Sequence, residues 1–317
     1  MVAEVSSQKG WRWHLHWVLL VALLPLVLSN AFSSTVSLED RLQKTIENHP
    51  ELNPENFESV GSLNDLAMQL PDHRVEGAWL PADTSWHWGM ALTSSVFFLV
   101  LFLSMWPATE NRIRTLIMVG VATGTIGILL LLGFQWLAFK TEGVFVRGRS
   151  VLILLFYIVK FIGFSYRCAM DSSSGFISSF FGYTLGVGLC EELCKALPVV
   201  IYLNTDRRRH TLRTACLIGL ASGAGFGISE GITYASDYYN GIQDFWIYLV
   251  RFISCVSLHA IWAGSVAILI YSNQDYLSIS WMDALSFVAF YLSPAMILHG
   301  LYNTLLTHDY QHIAAVC

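Results

Sequence analysis

About eight apolar stretches, each near the length a helix needs to cross a lipid layer, restrict the fold of this chain more than any other feature. They fall at roughly 14–32, 88–107, 114–138, 149–166, 176–203, 212–235, 245–272 and 282–307. A hydrocarbon layer about 30 Å thick is crossed by about 20 helical residues. Composition agrees with that reading, since 54% of the chain is hydrophobic, only 13% is charged, and the mean hydropathy is +0.52. The expected fold is therefore all-α: a polytopic membrane helical bundle of about eight transmembrane helices, integral to a lipid bilayer.

Other classes drop out quickly. A net charge of -5 over 317 residues carries no signature of nucleic-acid binding. None of the six cysteines forms a Cys-x-x-Cys pair, so neither a disulfide framework nor a zinc knuckle is indicated. Cys190, Cys194, Cys216 and Cys255 fall in apolar stretches and read as small packing residues.

The chain divides by composition. Residues 1–32 read as a membrane anchor or a cleaved signal segment, with Arg12 ahead of the apolar run. Residues 33–87 form an acidic extramembrane helical insertion with capped helical patterns broken at Pro50 and Pro54, either a solvated spacer or a partner-binding element. Residues 88–144 carry accessory transmembrane helices, and 309–317 are a short tail. Orientation follows the basic loops. The run at 205–213, with Lys140, Arg147 and Arg149, places one set of loops in the cytoplasm, while Lys9 and Arg12 place the amino terminus there too. Eight simple crossings do not satisfy both, which leaves a re-entrant segment, a break within 176–203 or removal of the first span.

The informative residues are polar groups inside apolar stretches. A charge at the middle of a membrane helix costs about 2.5–3.5 kcal/mol on insertion scales, so such groups usually face a bundle interior or a wet cavity. The second half of the chain holds Glu191, Glu192 and Lys195 in "CEELCK", Glu230 in "FGISE", His259 in "SLHAIW", and His299 with Asn303 in "LHGLYN". Glu191 and Lys195 are four apart and share a helix face, as are His299 and Asn303, and Phe226 and Glu230. Glu192 points about 100° away from Glu191. Gly219, Gly223, Gly227 and Gly231 recur every four residues and let a neighbouring helix approach the one that carries Glu230. Lys160 and Arg251 read as structural residues reaching toward an interface.

Carboxylates and imidazoles are the groups that activate water and stabilise a tetrahedral oxyanion, with or without a metal. Among competing arrangements, neither a Gly-x-Ser-x-Gly elbow nor a His-Glu-x-x-His helix is present. In order along the chain, Glu-Glu-x-x-Lys (Glu191, Glu192, Lys195), Phe-x-x-x-Glu (Phe226, Glu230), a helix with His259 and a helix with His299 and Asn303 resemble the PrsW family of intramembrane proteases. That family is distantly related to the CAAX prenyl endopeptidases and the bacteriocin-immunity-type membrane proteases. The resemblance spans 145–308.

The resemblance implies a protease core in an integral membrane protein, in the bacterial cytoplasmic membrane. Its substrates would be membrane-anchored proteins such as an anti-sigma factor. Carried over by position, Glu191, Glu192, Glu230, His259 and His299 are the catalytic candidates, one of the paired glutamates being the general base. Lys195, Phe226 and Asn303 support them. Where a metal is used, zinc is the natural choice for these donors, with Glu191, Glu230, His259 and His299 as candidate ligands. In the CAAX relatives the second motif ends in His rather than Glu, so metal-dependent and metal-free glutamate mechanisms both stay open. Two further readings are a proton- or cation-coupled transporter and a non-catalytic membrane scaffold. An inverted repeat is not evident in the sequence, which weighs against the first.

Overall fold

The computed structural model describes residues 14–33, 36–50, 62–105, 113–171, 173–205, 210–273, 286–308, 310 and 314. Lys9, Arg12, Pro54 and residues 206–209 of the basic run lie outside them. Among the described residues all regular structure is helical: α1 (His14–Phe32), α2 (Leu38–Asn48), α3 (Leu63–Met68), α4 (Trp86–Met105), α5 (Ile113–Lys140), α6 (Val151–Met170), α7 (176–205), α8 (Leu212–Tyr239), α9 (Phe245–Ser272) and α10 (286–307). Over its described residues each of the eight apolar stretches is thus largely helical. By length and composition α4, α5, α6, α8 and α9 suffice to cross a membrane, and α1 is a shorter apolar helix. Helix α7 departs from that pattern because Glu191, Glu192 and Lys195 sit inside its apolar run.

Several of these helices contain a wide π turn, a local register shift that recurs at functional sites. Two of them lie next to the polar residues: Tyr183–Gly188 one turn before Glu191, and Val250–Cys255 around Arg251.

By its contacts the chain divides into two units, Met1–Ala108 with Gly227–His259, and Thr109–Phe226 with Ala260–Cys317. In the first unit α1 and α4 pack on α9 at Val250–Cys255, where the Ser94 hydroxyl donates to the Phe252 carbonyl at 2.6 Å. The insertion between α1 and α4 folds onto the loop that joins α8 to α9. Ser37 and Ser62 cap α2 and α3, each accepting from a backbone N–H. Leu38, Leu42, Leu70 and Val75 then close over Ile242 of that loop. Main-chain bonds fix the arrangement: Val75 N–H to Gly241 O at 2.8 Å, Gly241 N–H to Leu80 O at 2.8 Å and Trp79 N–H to Gln243 O at 2.9 Å. The Arg41 guanidinium donates to Glu76 O at 2.9 Å and Ile242 O at 2.7 Å. The described residues of this segment thus form a folded cap on the α8–α9 loop.

The second unit contains α5, α6, α7, α10, the first part of α8 and the last part of α9. Its core gathers Leu131, Tyr166, Cys190, Cys194 and Phe226. Between α6 and α7 the Asp171 carboxylate accepts from the Ser173 hydroxyl at 2.6 Å and its amide at 2.9 Å, and those bonds hold its pKa below the usual carboxylate range.

Candidate active site

The second unit holds the polar set of α7 and α10. A helix packs closely on another only where small residues line the seam, and here a Cβ on Gly188 of α7 would lie 3.2 Å from the Met296 carbonyl, while one on Gly300 of α10 would lie 2.8 Å from Thr184 Cα. His299, next to Gly300, is thereby carried against the Glu191–Lys195 turn. Lys195 Nζ donates to Glu192 Oε1 at 2.7 Å and lies 3.4 Å from Glu191 Oε2. The two nitrogens of His299 face different carboxylates, Nδ1 at 3.3 Å from Glu192 Oε1 and Nε2 at 3.6 Å from Glu191 Oε2.

The two glutamates diverge on the helix, yet Lys195 and His299 each bridge them. The tighter lysine pair is the three-residue one with Glu192, not the four-residue one with Glu191. All four side chains are buried, Lys195 completely. Phe226 covers the ammonium with its ring, 4.6 Å from Nζ, and the Trp262 ring stacks on His299 at 4.9 Å. The Ser222 hydroxyl donates to the Lys195 carbonyl at 2.7 Å.

Two carboxylates stand against one ammonium, a formal excess of one negative charge where ions are poorly solvated. Such a site needs a proton, a protonated imidazole or a bound cation. Glu192 Oε2 is buried and without a hydrogen-bond partner among the described residues. Carboxylate and imidazole donors of this kind fit a divalent metal of the zinc type.

The first unit holds the other set. Close approach again comes from glycine: a Cβ on Gly227 would lie 3.0 Å from Val256 Cα, and one on Gly231 would lie 3.0 Å from the Phe252 ring. Glu230 sits between these positions, so its carboxylate meets α9 at once. Its Oε2 is 2.8 Å from His259 Nε2, and its Oε1 is 2.7 Å from Arg251 Nη2. The guanidinium lies over the Tyr234 ring at 3.9 Å. Here one carboxylate faces one fixed cation, and the set is balanced before the imidazole is counted.

Arg251 and Trp262 were not legible as site residues in the sequence. Arg251, expected to reach an interface, is 9% exposed and paired; its signal was a charge inside an apolar run eight residues before His259. Trp262 gave no signal, because an aromatic residue in a membrane helix is ordinary. Lys160 donates to the Val144 carbonyl at 2.7 Å. Asn303 lies half-buried one turn beyond His299.

A family model described as PrsW family intramembrane metalloprotease matches residues 134–317, which contain both polar sets. No curated protein and no solved structure matches the chain. The match covers more than half of the chain, and with an all-helical, strongly apolar architecture it has one meaning: this integral membrane protein belongs to the PrsW family of intramembrane metalloproteases and is a peptidase of membrane-protein substrates.

Proposed function

We propose that the chain is an endopeptidase that hydrolyses peptide bonds of membrane-anchored protein substrates with water activated by its glutamates and histidines. The buried pairing of Glu191 and Glu192 against a single lysine and His299 carries this reading. A second buried carboxylate beside a single ammonium is suited to take a proton.

Glu191 is the general base in this proposal. Its Oε2 stands at the longer distances from Lys195 and His299, whereas Glu192 is held at 2.7 Å by the ammonium and serves to fix that ammonium and the imidazole. Glu191 takes a proton from water as the oxygen attacks the carbonyl carbon, and returns it to the leaving nitrogen as the C–N bond breaks. The imidazoles and Lys195 offset the charge that develops on the carbonyl oxygen. Where a metal is used, Glu191 and His299 would be among its ligands and Glu191 would not be the base, zinc being the choice by donor type. When bound, such an ion supplies Lewis acidity toward a carbonyl or water.

The substrate class is a membrane-anchored regulatory protein of the anti-sigma-factor kind, in a bacterial cytoplasmic membrane, as the family resemblance implies. The test maps protein termini in membranes of cells expressing the wild type or Glu191→Gln, a variant that leaves Lys195 its Glu192 partner. Termini within or beside transmembrane segments, present only with the wild type, support the proposal and name the substrates. Identical profiles at matched levels of folded protein would falsify it and favour a carrier or a scaffold.

A further inference from the structure

Arg251 belongs to none of the four motifs, yet it is a buried, paired cation of the first unit. It sits in the π turn of α9, 9% exposed, with Nη2 at 2.7 Å from Glu230 Oε1 and its guanidinium plane over the Tyr234 ring. A neighbouring residue of the same turn, Phe252, gives its carbonyl to Ser94 of α4 and its ring to the seam at Gly231. The turn is held from two sides, and the guanidinium meets Glu230 and the Tyr234 ring.

A carboxylate on a helix has two free torsions beyond Cβ and, left alone, turns either oxygen to a neighbour. With Oε1 taken by a fixed cation, the orientation of Oε2 is set, and Oε2 is the atom that stands 2.8 Å from His259 Nε2. We infer that Arg251 is a positioning residue: it fixes the Glu230 carboxylate so that its second oxygen, and through it the His259 ring, keep one orientation for the proposed chemistry. The inference rests on the proteolytic reading for its consequence, but its geometric part stands without it.

A guanidinium is suited to this role where an ammonium is not. Its planar fork lies flat on an aromatic ring and directs its donors in fixed directions, whereas lysine is a flexible point charge. Groups that orient a site residue without touching substrate commonly change activity by about 10- to 100-fold when removed.

The experiment uses the full chain in lipid nanodiscs with its histidine rings labelled with ¹⁵N, and the same variants in cells. The His259 ring signal is identified by its loss in His259→Gln. In Arg251→Gln that signal is expected to shift or broaden, with the His299 signal in place, and the termini made by the wild type are expected to fall about 10- to 100-fold. Arg251→Lys keeps the charge and is expected to fall between the two in both readouts, so it carries the test if Arg251→Gln does not fold. A His259 signal unmoved in a folded Arg251→Gln, or Arg251→Lys equal to the wild type in both readouts, overturns the inference. Failure of the proteolytic reading is distinct: no termini depend on Glu191, while the ring signal still reports on Arg251.

Discussion

The two polar sets of this chain solve the same problem of buried charge differently. Around Glu230 one carboxylate meets one guanidinium and one imidazole, all from the α8–α9 seam, and the Glu230 side chain is 18% exposed. Around Lys195 two carboxylates share one ammonium and one imidazole, and the Glu192 side chain is sealed. The first set is balanced and partly open. The second has a negative charge to spare and is closed over by Phe226 and Trp262. Balanced pairs mainly fix geometry, because removing either partner leaves a lone buried ion. A set with two carboxylates to one ammonium can take up a proton or a cation, which suits it to chemistry on water.

That contrast can be broken by substitution. The largest effect is expected from Glu191→Gln, which removes the spare charge and leaves the Glu192–Lys195 pair intact. Cleavage, read from membrane-protein termini, is expected to fall by about 10²- to 10⁴-fold, while the thermal unfolding midpoint of the purified chain stays level or rises. A large drop in that midpoint would show that Glu191 supports the fold and that the imbalance is not real.

Glu230→Gln makes the opposite trade. It strands Arg251, and a buried ion pair broken on one side loses about 3–5 kcal/mol, read by thermal or denaturant unfolding. The double variant Glu230→Gln with Arg251→Met is expected to recover most of that loss. Lys195→Met is expected to lose a similar amount, because two carboxylates then stand with no fixed cation. Adding Glu192→Gln to it should restore part of the stability; no recovery would mean that the two glutamates do not compete for that lysine.

Smaller effects sharpen the comparison at the helix seams. Gly300→Ala places a methyl 2.8 Å from Thr184 Cα, and Gly227→Ala places one 3.0 Å from Val256 Cα, both against backbone that has little room to move. Overpacking of this kind costs about 1–3 kcal/mol. Gly300→Ala is expected to reduce the Lys195 set's contacts with His299, and Gly227→Ala to disturb only the Glu230 set, each read from the corresponding histidine ring signal. The smallest change is Trp262→Leu, which removes the stack on His299 and is expected to lose about 0.5–1.5 kcal/mol beyond the area lost. Equal disturbance of both rings by either glycine variant would erase the distinction between the sets.

Much of this was legible in the sequence. The described residues of the eight apolar stretches are largely helical because length and composition act locally, and α7 and α10 carry the charged and imidazole residues of the motifs. The glycine repeat on α8 correctly marked a close seam, since Gly227 and Gly231 touch α9 there. The insertion was harder. Its caps at Ser37 and Ser62 are visible in sequence, but its apolar residues are too sparse to reveal that they cover Ile242, far along the chain.

What the sequence determined by itself was a set of helices, the identity of the charged residues inside them, and their family. Those follow from spacing along one helix, where three or four residues fix a shared face regardless of what lies beyond it. Only the tertiary structure decided that Lys195 pairs more closely with Glu192 than with Glu191, that His299 presents a different nitrogen to each, and that Arg251 is buried against Glu230. The reason is physical. The rotation of each helix about its own axis, set by glycine seams and π turns, chooses which of several neighbouring polar atoms meet, and that rotation is a property of the packed bundle rather than of any one segment.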